Sequence, residues 1–394
     1  MELSTVWFVI IAVLWTGYFV LEGFDFGVGM LLPVLGRGAD AETTEKRRRV
    51  MVNTIGPVWD GNEVWVLTAG GATFAAFPHW YATMFSAFYL PLLLILVALI
   101  VRNLGFDYRG KRDDAQWRAR WDVAIIAGSA VPALLWGVAL TNVVRGLPID
   151  SQKEFTGNLL TLLNPVSLLG GLVTVGLFLT HGALFTALKT TGPIREDARA
   201  VATRTGVVTA VLAVVLLVIL GVGNGTVGSW LTTLVAAGSL VGALAANLRG
   251  REGWAFVGTF VTIAMAVATY FLLLFPNVMP STLDAAWSLT TANASSTPYT
   301  LKIMTWVAVV FTPIVLIYQS WTYWVFRKRI GTDHIPAATG PGSPGGHSAP
   351  SSAGTPAAEP VGAATPRSAA TVPEPVGATA PGPVALPASK PAAR

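Results

Sequence analysis

Cysteine is absent from this chain of 394 residues, and charged residues are scarce. Without cysteine the chain can form no disulfide, no cysteine-ligated iron–sulfur cluster and no c-type haem attachment, although the redox state of its compartment stays open. Charged residues make up 12% of the chain, against roughly 25% in ordinary soluble domains, and hydrophobic residues make up 53%. This balance excludes an ordinary soluble protein.

Histidine is also scarce, with His79, His181, His334 and His347 as the four examples. Haem iron is usually held by His, Met, Cys or Tyr side chains, and only His181 lies inside a long apolar run. A chain carrying several haems is therefore not expected, and His181 is interpreted as a packed, hydrogen-bonded side chain. The sequence also has no Walker A motif and no dinucleotide fingerprint, and no nucleic-acid partner is expected.

Apolar runs recur along the chain, and one bilayer crossing needs about 20 residues. These runs are too long and too uniformly apolar for the strands of a membrane barrel. The first run follows no basic segment and no cleavage site, so we interpret it as a retained helix. We predict an all-α integral membrane protein with nine transmembrane helices, over residues 5–35, 51–74, 81–101, 122–143, 163–188, 205–223, 230–247, 254–276 and 302–326.

Basic residues alternate between the connections of these nine helices. Twenty Lys and Arg residues fall in one set of connections, and only Arg145, Lys153 and Lys302 fall in the other. Connections rich in Lys and Arg stay on the cytoplasmic side of a membrane. We therefore predict a multi-pass protein of the cell membrane, with its N-terminus outside and its C-terminus in the cytoplasm.

The composition changes at about residue 332, where Pro, Ala, Gly, Ser and Thr become dominant. Such a segment cannot bury enough apolar surface to offset the entropy lost on ordering. We predict two regions, a transmembrane domain over 1–331 and a disordered cytoplasmic tail over 332–394.

Four acids lie inside the first two predicted helices. Glu22 and Asp25 are three residues apart on the first, and Asp60 and Glu63 are three apart on the second, so each pair shares a helix face. An acid at the centre of a spanning helix costs about 2.5–3.5 kcal/mol on insertion scales, and such acids usually mark a functional path. At 1.5 Å per residue, both pairs lie roughly 15 Å from the cytoplasmic helix ends. We predict one cluster, a proton path entered from the cytoplasm, with Asn62 pointing elsewhere.

An alternative is that the acids are buried polar anchors. In that case Asn53, Thr68 or basic side chains of a partner would satisfy them. Two glycines on the first helix, Gly23 and Gly27, are four residues apart and suit a close approach of another helix.

Six motifs resemble subunit II of the cytochrome bd quinol oxidases. They are "GYFVLEGFDFGVGMLLP", "VNTIGPVWDGNEVWVLTAGGATFAAFP", "RNLGFDYRGK", "LLNPVSLLGGL", "LFPNVMPSTL" and "MTWVAVVFTPIVLIY". They occur in order between residue 6 and about residue 328, so the resemblance covers the chain up to the tail.

The resemblance implies nine helices, arranged as two four-helix bundles plus one extra helix. It implies a partner, subunit I, that carries haems b and d and the quinol site, with no haem bound by this chain. The pair would oxidise quinol, reduce oxygen to water with cytoplasmic protons, and build a proton gradient without pumping. In the family the aspartate of the WDGN motif, Asp60 here, is proposed to feed protons to subunit I. The family often has aspartate where this chain has Glu22.

Two other functions stay open on sequence grounds. A proton-coupled secondary transporter also keeps acids in its helices, although it would show broken helices in two inverted halves, and no convincing inverted pair is present. A purely structural subunit would leave all proton transfer to the partner. The sequence does not distinguish ubiquinol from menaquinol, and it leaves open a small single-helix subunit and a bound structural quinone beside membrane lipid.

Overall fold

Helices account for nearly all regular structure in the computed structural model, which describes residues 2–335. The tail predicted from residue 332 lies outside the described residues from 336 onward. The α-helices are α1 Leu3–Leu35, α2 Ala41–Ile55, α3 Trp59–Ala76, α4 Pro78–Ala87, α5 Tyr89–Tyr108, α6 Ala115–Arg145, α7 Leu159–Leu162, α8 Pro165–Lys189, α9 Pro193–Gly221, α10 Val227–Leu248, α11 Glu252–Leu274 and α12 Pro298–Val325. Two short strands, β1 Asn277–Met279 and β2 Leu289–Thr290, pair antiparallel in the connection between α11 and α12.

Eight of the described helices are long and apolar enough to cross a membrane: α1, α5, α6, α8, α9, α10, α11 and α12. The prediction of an all-α membrane protein is confirmed at this level. The α3 helix is not among the eight because its 18 residues are not apolar enough on average: Asp60, Asn62 and Glu63 lie in its first two turns. The polar start lowers the mean hydropathy of a helix that is otherwise apolar.

The predicted second helix, 51–74, is two helices in the structure. The chain leaves α2 after Ile55, turns through Gly56–Val58 and begins α3 at Trp59. Pro57 explains the break, because a proline has no N–H to donate and its ring clashes with the carbonyl four residues before it. The predicted third helix, 81–101, is likewise divided between α4 and α5, with Pro91 in the first turn of α5.

The α1 helix lies at the centre of the packing. It contacts α2, α3, α6, α8, α9, α11 and α12, and every residue from Glu22 to Leu32 is buried. The predicted close approach at Gly23 and Gly27 is confirmed. A Cβ at Gly27 would collide with the Phe178 carbonyl and the Gly182 backbone of α8, and one at Gly23 would collide with the Phe178 ring. Any polar side chain in this part of α1 is therefore enclosed by protein.

The outer helices bury much less of their surface. In α12 only 6% of the most apolar window is buried, and Leu301 is its one fully buried residue. In α5 and α10 the buried share is 28%. The exposed apolar faces of such helices meet lipid tails or partner helices in a bilayer.

Regular structure and side-chain packing continue to residue 335, just beyond the predicted domain boundary at 331. Thr332–His334 forms a 3₁₀ turn, and Ile335 packs with Val50 of α2 and Ile194 of α9. The Ile330 amide donates to the Lys189 carbonyl at 2.9 Å. The segment after α12 is thus tied to the ends of α8 and α9.

Candidate functional site

Two carboxyl groups lie fully enclosed in the middle of α1. Glu22 and Asp25 have no exposed surface, and they point to the side of α1 where α3 and α5 pass. A carboxylate removed from water is strongly destabilised unless a charge or hydrogen-bond donors compensate it. The residues that compensate these two acids define the candidate site.

Arg102 is the partner of Glu22. Its guanidinium forms an ion pair with the Glu22 carboxyl, and both side chains have no exposed surface. The guanidinium also lies over two aromatic rings, 4.7 Å from the Phe26 centroid and 5.3 Å from the Phe106 centroid. These faces carry negative charge density, so they stabilise a buried cation further.

Glu63 is the second carboxyl beside Arg102. Its Oε2 lies 3.9 Å from Arg102 Nη2 and accepts a hydrogen bond of 2.8 Å from the Asn103 amide. The side chain is 18% exposed, so Glu63 lies between the enclosed pair and the surface of the described chain. Glu22, Arg102 and Glu63 thus form one charged group contributed by α1, α5 and α3.

Asp25 is held by a different residue. The Asn62 amide of α3 donates to Asp25 Oδ2 at 2.7 Å. The side-chain oxygen of Asn62 accepts hydrogen bonds from the Tyr323 hydroxyl at 2.7 Å and from the Gln319 amide at 3.2 Å, both on α12. The Trp65 indole then donates to Gln319 Oε1 at 2.8 Å. Asn62 therefore links the buried acid to the otherwise loosely packed α12.

The structure brings together three of the four predicted acids and separates the fourth. Glu22, Asp25 and Glu63 surround Arg102 and Asn62, whereas Asp60 is exposed. Asp60 lies on the wall of a groove of about 780 Å³ between α3 and α12, which Asn62, Gln319 and Tyr323 also line. Asp60 thus opens onto the same groove as the residues that hold Asp25, without contacting Asp25.

The prediction that Asn62 points elsewhere was wrong. The buried residues of α3 are Asn62, Ala69, Thr73 and Ala76, so the face toward α1 is the face of Asn62. Spacing alone shows which residues share a face, but not which face meets the neighbouring helix. Asn53 and Thr68, two of the alternative anchors, do not hold these acids, because Asn53 is exposed and the Thr68 hydroxyl donates to the Val64 carbonyl of its own helix.

Arg102 was missed because it was counted among the basic residues of a connection. The α5 helix continues to Tyr108, so Arg102 lies almost two turns inside it. The sequence carried a usable signal, since Leu104, Gly105 and Phe106 continue the apolar helix after the arginine. The contributions of Gln319 and Tyr323 had no such signal, because they depend on where α12 docks.

Several polar atoms of the cluster are buried and make no hydrogen bond within the described residues. Apart from the two atoms of the Glu22–Arg102 ion pair, they are Glu22 Oε2, Asp25 Oδ1, Arg102 Nε and Nη1, and Asn103 Oδ1. Buried polar groups are nearly always hydrogen-bonded in proteins, so these atoms are positions where water or a group of another subunit can bind.

His181 does not fit a haem ligand. Its Nδ1 lies 2.7 Å from the Thr259 hydroxyl, its Nε2 lies 3.2 Å from the Val20 carbonyl, and its ring stacks on Phe256. Both ring nitrogens are therefore engaged, and the interpretation of His181 as a packed side chain is confirmed. Among residues 2–335 no group of three or more His, Cys, Asp or Glu side chains could hold a metal ion.

The fold and the site define a class: a polytopic helical membrane protein with a buried carboxyl–guanidinium cluster on its central helix. Residues 3–326 match the family model described as cytochrome bd terminal oxidase subunit II. The chain belongs to this family, and the resemblance found in its motifs is confirmed.

Two relatives support this assignment, and a solved structure shares the fold. The chain is 42% identical over 335 residues to the cytochrome bd ubiquinol oxidase subunit 2 of Bacillus subtilis, covering 84% of this chain and 97% of the relative. It is 38% identical over 371 residues to the cytochrome bd-I ubiquinol oxidase subunit 2 of Escherichia coli, covering 84% and 96%. A chain in the structure of bd oxidase from Geobacillus thermodenitrificans matches with a TM-score of 0.67 at 18% identity, over 83% of this chain and 100% of that chain. At that identity the last match shows the fold alone.

Proposed function

We propose that this chain is the second subunit of a quinol-oxidising, oxygen-reducing complex of the cell membrane. Its partner is a subunit I that carries haems b and d, and the complex oxidises quinol and reduces oxygen to water. Membrane lipid and quinone surround the complex, and a small single-helix subunit stays a prediction. Family membership and the names of the two relatives support this function. The engaged nitrogens of His181 agree with haems in the partner.

We also propose nine membrane crossings, with α3 as the ninth. In this arrangement α1, α3, α5 and α6 form one four-helix bundle, α8 to α11 form the other, and α12 is the extra helix. The packing of α1 on α3 and α6, of α5 on α6, of α8 on α9 and of α10 on α11 agrees with this division, and α8 joins the two bundles by packing on α1 and α6. The alternation of basic connections supports α3 as a crossing, with the N-terminus outside and the C-terminus in the cytoplasm.

The observation that carries the proposed mechanism is the buried cluster around Glu22, Arg102 and Glu63. Oxygen reduction consumes protons, and a site enclosed in hydrocarbon receives them only through groups that can exchange them. Asp60 is exposed in the groove, Glu63 is partly exposed, and Glu22 and Asp25 are enclosed. This order supports a path in which protons enter at Asp60 and Glu63 and pass inward to the acids of α1.

Asn62 has a positioning role in this proposal. An amide does not exchange protons as a carboxyl does, so Asn62 is not a relay. The Asn62 amide donates a 2.7 Å hydrogen bond to Asp25 Oδ2 and leaves Asp25 Oδ1 without a donor among the described residues. Asp25 is thereby held in one orientation with one oxygen available.

A structural function is the second candidate, because one observation favours it. The Glu22–Arg102 pair joins α1 to α5, and Asn62 joins α1 to α3 and α12. Such cross-links are also what a structural clamp requires. The two candidates predict different consequences for a change that removes proton exchange and keeps shape.

Asp60→Asn is that change. The proton-path proposal predicts that the purified complex keeps normal haem content while its oxygen consumption per haem falls strongly, about 10²- to 10⁴-fold if proton transfer at Asp60 becomes limiting. Asp113→Asn is the matched control, since Asp113 is 82% exposed in the connection after α5. Near-normal turnover of Asp60→Asn would remove Asp60 from the path, and loss of haem or assembly would favour the structural function.

A further inference from the structure

Three arginines converge on one carboxyl where the ends of several helices meet. Arg195 Nη2 lies 2.7 Å from Glu252 Oε1, and Arg199 Nε lies 3.8 Å from the same oxygen. Arg329 Nη2, in the segment after α12, lies 3.6 Å from Glu252 Oε2. We name these four residues the Glu252 cluster.

The charges of the Glu252 cluster do not balance. Among the described residues, Glu252 is the only carboxyl within 4.0 Å of any of the three guanidinium groups. Its side chain is 4% exposed, whereas the arginines are 30–36% exposed. Two positive charges therefore remain unneutralised, and the surface that they share is made of guanidinium groups rather than of the acid.

A second arginine cluster in the same chain shows the contrast. Arg48, Arg109 and Arg118 face three acids, Glu45, Asp113 and Asp122, at 2.6–3.6 Å. That cluster neutralises itself and needs no further anion. The excess at Glu252 is therefore not a general feature of the basic ends of these helices.

Exposed apolar side chains lie on the segments that meet at the Glu252 cluster. Leu248 is 68% exposed and follows Asn247, whose carbonyl accepts a 2.8 Å hydrogen bond from Arg199. Val207, about two turns along α9 from Arg199, is 53% exposed, and Phe326, just before Arg329, is 48% exposed. An anion that carries hydrocarbon chains fits this surface better than an isolated ion does.

We propose that the Glu252 cluster binds the phosphate headgroup of an anionic phospholipid. Guanidinium groups are weakly hydrated and bind phosphate oxygens with paired hydrogen bonds, and basic pockets between helix ends are where anionic headgroups are found. The bound phosphate would join the segment after α12 to α9 and α11 through Arg329. Arg329 lies beyond residues 3–326, the range that matches the family model. The proposal rests on these contacts and does not depend on the proton path.

Native mass spectrometry of the delipidated, assembled complex tests the proposal. The complex is titrated with phosphatidylglycerol or with phosphatidylcholine, and the dissociation constant of the first bound lipid molecule is measured for each lipid. The variant is Arg199→Gln/Arg329→Gln, which keeps the Arg195–Glu252 pair. The matched control is Arg37→Gln/Arg120→Gln, which removes two exposed arginines that form no salt bridge within the described residues.

We expect phosphatidylglycerol to bind more tightly than phosphatidylcholine. The double variant should weaken phosphatidylglycerol binding about 25-fold, or about five-fold for each arginine, and the control should leave it unchanged. Equal affinity for the two lipids, an equal loss in the control, or full competition by inorganic phosphate at matched concentration would each overturn the proposal. If the double variant does not assemble, Arg329→Gln alone decides, with an expected loss of about five-fold.

Discussion

The buried pair Glu22–Arg102 permits a quantitative prediction. Neither side chain has any exposed surface, so removing one partner leaves the other charged in an enclosed site. Breaking a buried ion pair in this way costs about 3–5 kcal/mol, because the remaining charge keeps its desolvation penalty and loses its partner. We expect Arg102→Gln to lower the free energy of unfolding of the complex by about that amount.

The two single variants should lower the stability of the complex by different amounts, and the neighbouring carboxyl of Glu63 determines which variant costs more. Arg102→Gln leaves Glu22 facing Glu63 without a cation between them. In Glu22→Gln, Arg102 keeps Glu63 at 3.9 Å and its two aromatic rings. Glu22→Gln should therefore cost less than Arg102→Gln. The double variant should cost less than the sum of the two, with an interaction energy of about 0.5–3 kcal/mol.

The assay is equilibrium unfolding of the purified complex in detergent, followed by tryptophan fluorescence and by haem absorbance. Arg120→Gln serves as the control for loss of an arginine, and it should stay within about 0.5 kcal/mol because its side chain is exposed. A cost below about 1 kcal/mol for Arg102→Gln, or strict additivity of the two single variants, would refute the reasoning from burial.

Three further predictions concern the whole chain. A reporter fused after Arg329 should be active only in the cytoplasm, and activity outside the cell would overturn the topology drawn from basic connections. The chain expressed alone should show no haem absorbance and no quinol oxidase activity, since His181 has no free ring nitrogen; stoichiometric haem would contradict this. Truncation after Ile335 should leave assembly and turnover nearly intact, because the composition of the removed segment predicts no fixed fold. Loss of the complex would instead indicate that the tail binds a partner.

The sequence was sufficient for the class of protein and for the family. Long apolar runs are enough to identify a helical membrane protein, because backbone polar groups of such a run in hydrocarbon find hydrogen-bond partners only within a helix. The WDGN motif and the GFDFG run are local in sequence, so they were recognisable without a structure. The acids of α1 were also predictable, since a charge in an apolar run is visible wherever the helix packs.

Helix continuity was less accessible to sequence reasoning. The apolar run over 51–74 predicted one helix, but the local effect of Pro57 produced two. The third predicted helix was ended at residue 101, which assigned Arg102 to a connection, although α5 continues past it to Tyr108. A single residue decides such breaks and extensions, and the overall apolar character of a run does not reveal it.

Only the tertiary structure decided which side chains meet. Helical spacing placed Asp60 and Glu63 on one face of α3, but the rotation of α3 against α1 turned Asn62 inward and left Asp60 in the groove. The contacts of Tyr323 and Gln319 with Asn62 join residues more than 250 positions apart. Rotation and docking of helices depend on the packing of all their neighbours, which is why no local pattern in the sequence contains them.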